Sequence, residues 1–284
     1  MKTVAIVGVG LIGGSFGLAV RKAGFDGEIL GVSSPSAVEA AIRAGAISRK
    51  ASLEEAATSA DLIYLAQTVD RILTTLETLG PIANSDCLIT DAGSTKTAIV
   101  RKATKYVRSG FIGGHPIAGK EQRGVEAADA NLFCGRPYIL TPTAGGTHAS
   151  EEFRLWLSRI GASVIEMSPP EHDALVGLTS HLPQLVAVAL ARALAQGTDE
   201  RLKEVAGPGL LSMTRLALSS PAIWESIIAT NKTEIVRALD VFGKSLDEVR
   251  AAVEAGAVNE AFGTGAVFAR SIRNLAHKDS GPGS

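Results

Sequence analysis

Gly8-Val9-Gly10-Leu11-Ile12-Gly13 is a GxGxxG run directly after a short β-branched segment and at the start of a helical one. Each glycine has a separate use there. Gly8 permits a tight turn, Gly10 lets the backbone approach a pyrophosphate, and Gly13 allows close packing of helix on strand. The backbone N–H groups that open the helix, at Leu11, Ile12 and Gly13, offer donors and a positive dipole end to an anion. The strand before and the helix after turn a weak motif into a dinucleotide-binding one.

Three later segments carry other chemistry: Asp91-Ala92-Gly93-Ser94-Thr95-Lys96, Gly113-Gly114-His115-Pro116-Ile117-Ala118-Gly119, and Ser180-His181-Leu182-Pro183-Gln184. The first two each follow a predicted strand. In an open α/β sheet, ligands bind beyond the carboxyl ends of the strands, so both segments face the crevice of the glycine loop. His115 stands among glycines that let a ligand approach the backbone. His148, His172 and His277 read as structural or solvated. His181 is intermediate: it orients the crevice or satisfies buried backbone groups. Asp91 and Ser94 also read as helix N-caps, and Trp224 as a packing residue.

The elements that must position these residues follow from hydrophobic spacing. Thr3–Val7, Glu28–Val32, Leu62–Leu65, Cys87–Thr90 and Gly110–Ile112 read as strands, several apolar on both faces as buried parallel strands are. Leu11–Ala23, Ser36–Ala44, Val69–Leu79 and Lys96–Tyr106 alternate with them as helices. Tyr138–Leu140 and Ser163–Ile165 add strands around a helix near Ala149–Ile160. Beyond Ser168-Pro169-Pro170 the segments read only as helices: Glu171–Leu178, Pro183–Ala195, Arg201–Ala206, Gly209–Ala217, Ala222–Lys244, Leu246–Ala255 and Asn259–His277. The expected fold is an α/β Rossmann-type doubly wound parallel sheet, residues 1–168, followed by an all-α C-terminal dimerisation domain, residues 169–284. Leu185–Ala195 is apolar nearly all round, so it is expected to be buried or in the interface of an obligate homodimer.

Composition narrows the function classes. A formal net charge of −1 on 284 residues provides no basic excess for nucleic acid. The two cysteines, Cys87 and Cys134, form no metal motif and read as buried free thiols in a reducing compartment. No signal peptide or transmembrane stretch is expected, and the tail from Lys278 to Ser284 reads as a frayed end. A cytoplasmic protein with no nucleic-acid or membrane partner is the expectation. The second strand ends in Ser33-Ser34 in place of the acid that holds an NAD ribose. NADP is therefore admitted and favoured over NAD, although no arginine follows to clamp its phosphate.

The chain resembles the prephenate/arogenate dehydrogenases of tyrosine biosynthesis. GVGLIGGS, DAGSTK, GFIGGHPIAG, NLFCGRPYILTPT, PPEHD, SHLP and TRLALSSPAIWESI carry the resemblance along nearly the whole chain. The resemblance implies that prephenate, or alternatively arogenate, is oxidatively decarboxylated with reduction of NAD(P), in a homodimer with the site in the crevice. His115 would bond the ring hydroxyl and take its proton, with Ser94 bonded to that histidine. Arg215 would pair with a substrate carboxylate. His181, Gln184, Lys120 and Glu121 would lie near the substrate, Lys120 and Gln184 being departures from the family pattern. The regulatory domain of some relatives is not expected. A Ser/His/Asp hydrolase is disfavoured because Ser94 lacks a GxSxG elbow. Other reductases of the same architecture lack HPIAG paired with SHLP.

Overall fold

The computed structural model describes residues 1–142, 148–197 and 199–279. These fall into two compact units, residues 1–232 and residues from 233 on. The chain order in the first unit is β1 (Thr3–Val7), α1 (Leu11–Lys22), β2 (Glu28–Val32), α2 (Pro35–Arg43), β3 (Arg49–Lys50), α3 (Leu53–Ser59), β4 (Leu62–Leu65), α4 (Val69–Leu79), β5 (Leu88–Asp91), α5 (Thr97–Tyr106), β6 (Gly110–Pro116), β7 (Pro137–Pro142), α6 (His148–Arg159) and β8 (Ser163–Glu166). One eight-stranded sheet results, in the order β3-β2-β1-β4-β5-β6-β7-β8. Every pairing is parallel except β6 with β7, where the direct connection turns the strand antiparallel.

The central strands are apolar on both faces because both faces are covered. Ile6, Leu62, Tyr64 and Phe16 belong to one buried cluster, Ala5, Ile63, Leu65 and Ile72 to the other. Each fully buried aliphatic side chain contributes roughly 1.5–3 kcal/mol relative to exposure. Phe16 of α1 stacks on Tyr64 of β4 with ring centroids 4.0 Å apart, which seats the helix that follows the glycine loop.

β6 runs four residues past the expected Ile112, so His115 stands on the strand itself, opposite Ile139 of β7. α3 and the two-residue β3 were not expected. Cys134 is exposed, contrary to expectation, while Cys87 is buried.

After β8 the chain is helical: α7 (Pro169–Val176), a π turn at Gly177–His181, α8 (Leu182–Ala195), a short 3-10 turn at Glu200–Leu202, α9 (Pro208–Thr214), a second 3-10 turn at Arg215–Leu218, and α10 (Pro221–Glu254). Ser168 opens α7 with a capping box. Its side chain accepts from the Glu171 N–H while the Glu171 carboxylate accepts from the Ser168 N–H, and Pro169 takes the first position, where no N–H is missed. α7, the π turn and α8 make one helical rod, Pro169–Ala195, long and apolar enough by length and composition to cross a membrane. Its Asp173 nevertheless bonds the backbone that opens α5, so its first turns are packed on the sheet. Within the chain only Gln184 and Ala187 of α8 are buried.

α10 departs from helical backbone at Asn231 (φ −126°, ψ 26°), where one of two helices was expected to continue to Lys244. The second unit holds the rest of α10 and α11 (Asn259–Asp279), and exposes Val253, Phe262, Val267 and Phe268. Of the expected frayed tail, Lys278 and Asp279 are helical and the remainder lies outside the described residues. The side chains of His148 and His277 lie outside them as well.

Candidate active site

The glycine loop joins β1 to α1 at the carboxyl end of the sheet. Gly8 has φ +96°, and a Cβ there would lie 2.5 Å from the Ala66 carbonyl oxygen. A Cβ on Gly13 would lie 2.2 Å from the Gly8 oxygen. The fold itself therefore requires both. Gly10 is different: a Cβ there meets nothing within 4 Å. It opens onto a cleft of about 310 Å³ lined by Gly8, Gly10, Ser33, Ser36, Ala66 and Glu126, among others. A glycine that the chain's own packing does not need, beside a helix N-terminus, fits a pyrophosphate laid against the backbone. Ser33 is in the wall of this cleft. Ser34 caps α2 by accepting from the Ala37 N–H at 3.4 Å. A larger depression of about 580 Å³ surrounds Met1, Asp61, Cys87 and Gly110 at the opposite ends of the strands and contains none of the predicted residues.

At the ends of β5 and β6 a buried polar cluster has formed. Asp91 accepts from the N–H groups of Gly93 (2.8 Å) and Gly114 (3.1 Å) and from the Lys96 ammonium. Lys96 also donates to the Gly114 carbonyl at 2.6 Å. This fully buried pair ties the DAGSTK turn to the strand that carries His115. Gly113 and Gly114 serve the same packing rather than a ligand: Cβ atoms there would meet Thr141 Oγ1 at 2.2 Å and the Asp91 oxygen at 2.5 Å. Gly119 is open.

His115 Nδ1 lies 2.8 Å from His172 Nε2, and His172 Nδ1 lies 2.8 Å from Asp173 Oδ1. Asp173 also accepts from the backbone N–H groups of Lys96 (2.7 Å) and Thr97 (2.9 Å). The N-terminus of α5 is thus capped by Asp173 from α7, and not by Asp91 or Ser94 as expected. His172, expected to be structural or solvated, is fully buried and bonded to His115. Ser94 is half-buried and makes no side-chain hydrogen bond among the described residues; the expected bond to His115 is absent, and His172 takes that ring's Nδ1 instead.

Burial, then the neighbouring His172 ring, the Lys96 ammonium and the His181 ring, hold His115 well below the ordinary histidine value. His172 is lowered chiefly by burial, against the pull of Asp173. Burial pushes Asp173 up, but the bonds from His172, Thr97 and Lys96 prevail and keep it below the usual carboxylate range. The cluster therefore holds neutral imidazoles over an ionised Asp173.

His181 is buried, pushed down to about 4 by burial. Its Nδ1 lies 3.2 Å from Asn231 Nδ2, which also donates to the Asp173 carbonyl at 2.8 Å. An amide nitrogen only donates, so His181 Nδ1 accepts and its Nε2 carries the proton. That Nε2 is buried and has no partner among the described residues. Trp224 packs edge-on against the His181 ring at 5.7 Å.

The other predicted residues have partners of their own. Arg215 pairs with Glu121, both exposed. Lys120 pairs with Asp129 at 2.9 Å. Gln184 donates to the Leu216 carbonyl at 2.8 Å and accepts from the Ser219 hydroxyl at 3.3 Å, so it holds the turn that carries Arg215.

The chain as a whole is similar to known proteins. Residues 16–166 match the profile of the prephenate dehydrogenase nucleotide-binding domain, and residues 168–264 that of the prephenate dehydrogenase dimerization domain. A prephenate dehydrogenase of Lactococcus lactis subsp. cremoris is 37% identical over 258 residues, covering 88% of this chain and 70% of the relative. The crystal structure of Aquifex aeolicus prephenate dehydrogenase in complex with hydroxyphenyl propionate and NAD+ is 33% identical. It covers 97% of this chain and 98% of that one, with a TM-score of 0.88. Synechocystis arogenate dehydrogenase is 29% identical with a TM-score of 0.81, covering 96% of this chain and 99% of that one.

Proposed function

The chain belongs to the prephenate dehydrogenase family, and from that premise we propose that it oxidatively decarboxylates prephenate with reduction of NAD(P). The observation that carries the proposal is the neutral, part-buried imidazole of His115 at the carboxyl end of β6, with an Nε2 that has no partner among the described residues. A bound nicotinamide supplies the hydride acceptor. His115 Nε2 takes the proton of the ring hydroxyl as the hydride leaves the carbon that bears it. The ring carboxylate departs as carbon dioxide, its bonding electrons enter the ring, and His115 returns the proton to the phenolic oxygen. Aromatisation drives the step, so the protein needs no strong electron sink.

The remaining roles follow from donors and charges. His181 Nε2–H is a buried donor without an acceptor among the described residues, an arrangement unfavourable by about 1–3 kcal/mol unless a ligand supplies one. We assign it to the substrate. Arg215 exchanges Glu121 for a substrate carboxylate through its planar fork. Ser94 stands at the same strand ends and contacts the substrate hydroxyl. Lys120 has its charge met by Asp129, and Gln184 is a neutral clip, so neither strongly selects the side chain of the substrate. Arogenate is the alternative substrate on that ground. Gly8, Gly10, Leu11, Ile12 and Gly13 cradle the cofactor. Ser33 and Ser34 admit the 2′-phosphate of NADP, which we favour, while Glu126 in the same cleft wall accommodates NAD.

We further propose a homodimer and a domain boundary at residues 168/169. The dimerization profile begins at residue 168, and the capping box at Ser168 opens the helical part. The functional test is absorbance at 340 nm with prephenate and with arogenate, each with NAD and NADP. Turnover with prephenate is expected. No reduction with either compound overturns the proposal.

A further inference from the structure

His172 and Asp173 have no role in the reading above, yet their hydrogen bonds leave a single consistent assignment of protons. The argument starts at the backbone. The N–H groups of Lys96 and Thr97 can only donate, and they donate to the two oxygens of Asp173. Asp173 is therefore an acceptor on both sides. Its Oδ1 must then receive a proton from His172 Nδ1 at 2.8 Å. A neutral imidazole with Nδ1–H has its lone pair on Nε2. His172 Nε2 consequently accepts, and among the described residues the only group placed to donate to it is His115 Nδ1, at 2.8 Å. With its proton on Nδ1, His115 carries its lone pair on Nε2.

We propose that His172 and Asp173 are positioning residues that fix His115 in the Nδ1–H tautomer, so that an unprotonated Nε2 meets the substrate hydroxyl. The inference rests on the reading of His115 as the base, and it adds how that base is set. The device resembles in logic a carboxylate that orients a catalytic imidazole, with a second imidazole inserted between them. The insertion has a structural reason. Asp173 is on α7 and is already committed to capping α5, so its carboxylate is fixed at that helix end; the His172 ring spans the gap to β6. Asn231 holds the same turn of α7 by donating to the Asp173 carbonyl, and both positioning residues lie out of water: His172 is 0% and Asp173 3% exposed. When Nε2 takes a proton, the imidazolium remains bonded through His172 to a carboxylate. No proton needs to leave the chain, and atoms and charge balance at the hydroxyl.

The test reads the tautomer directly. In protein labelled with ¹⁵N-histidine, two-bond ¹H–¹⁵N spectra distinguish Nδ1–H from Nε2–H, with the His115 signals assigned by their loss in His115→Asn. Wild type is expected to show His115 as Nδ1–H with an unprotonated Nε2. His172→Gln keeps the polarity, since its carbonyl accepts from His115 and its amide donates to Asp173. It is expected to keep the tautomer and a turnover within about fivefold of wild type. His172→Phe is expected to mix the tautomers and lower kcat roughly 10²-fold, with KM and dinucleotide affinity within about threefold. A wild-type His115 found as Nε2–H overturns the proposal, even if neither His172 variant folds. So does a His172→Phe protein with unchanged tautomer and kcat. Because the spectrum needs no substrate, inactivity toward prephenate with the predicted tautomer present refutes the functional reading alone.

Discussion

His115 and His172 are joined ring to ring at 2.8 Å across 57 residues of sequence, one ring near the carboxyl end of strand β6 and the other on the first helix after the sheet. The proposed base and the residue proposed to orient it thus come from the two segments matched separately by the nucleotide-binding and dimerization profiles. Burial, then the His172, Lys96 and His181 neighbours, hold the His115 imidazole below the ordinary histidine value, which favours its neutral form.

His115→Asn keeps a polar side chain of similar reach and removes proton acceptance. Turnover should fall on the order of 10²–10⁴-fold with a smaller change in substrate binding. In wild type the acid limb of the rate profile should lie below the ordinary histidine value, because burial, then the His172 ring, the Lys96 ammonium and the His181 ring, lower the pKa of His115. Steady-state rates against pH check both points. A variant within threefold of wild type, or one that retains the acid limb, removes His115 as the base.

His181 makes the stability of the fold depend on pH. Its folded value is about 4 against an ordinary 6.5, so the unfolded chain binds the proton more readily between those values. Stability is full above pH 6.5 and falls as pH drops toward 4, levelling below it. At ~1.4 kcal/mol per unit the loss is about 3 kcal/mol from this group. Urea midpoints for wild type and His181→Asn across that window should converge at low pH. Parallel curves contradict the assignment.

The glycines of the loop separate fold from ligand. Gly13→Ala drives a Cβ into the Gly8 carbonyl and should destabilise the protein by several kcal/mol. Gly10→Ala meets nothing in the chain and should leave the melting temperature within about 2 °C, while dinucleotide affinity, read by fluorescence titration, falls tenfold or more on the order of 1.4 kcal/mol. Equal behaviour of the two variants refutes the division.

Much of this fold was legible because its signals are local. Buried strands such as Leu62–Leu65 are continuous apolar runs, and the glycine loop sits between a strand and a helix. The two-residue β3 and seven-residue α3 were missed because such short pieces carry too few residues for a period to register. The extension of β6 through His115 was hidden by Gly113 and Gly114, which read as loop but are demanded by Thr141 and Asp91 across the sheet. The site was half legible. The HPIAG segment drew attention to His115, although Gly113 and Gly114 beside it serve packing on Thr141 and Asp91. His172 did not, since nothing within its own helix shows that it meets a ring 57 residues away. The PPEHD segment was the available signal: a capped helix whose first turn holds adjacent histidine and aspartate. Asp173 as the cap of α5 replaced the expected local cap for the same reason.

Cofactor choice turns on the wall of the cleft. Ser33→Asp places a carboxylate where a ribose 2′-hydroxyl or 2′-phosphate is held, and should move the ratio of NAD to NADP affinity toward NAD by about tenfold or more. Direct titration of both dinucleotides checks it. A wild type that already binds NAD far more tightly than NADP refutes the part assigned to Ser33 and Ser34.

The most direct measurement of the central claim is product stoichiometry with prephenate. Reduced dinucleotide, carbon dioxide and 4-hydroxyphenylpyruvate are quantified in one reaction, with His115→Asn as the parallel control. The account predicts all three in equal amounts from wild type, and at least a hundredfold slower formation of all three from the variant on the order expected for loss of a general base. Carbon dioxide released without cofactor reduction, or wild type and variant forming product at the same rate, would contradict it.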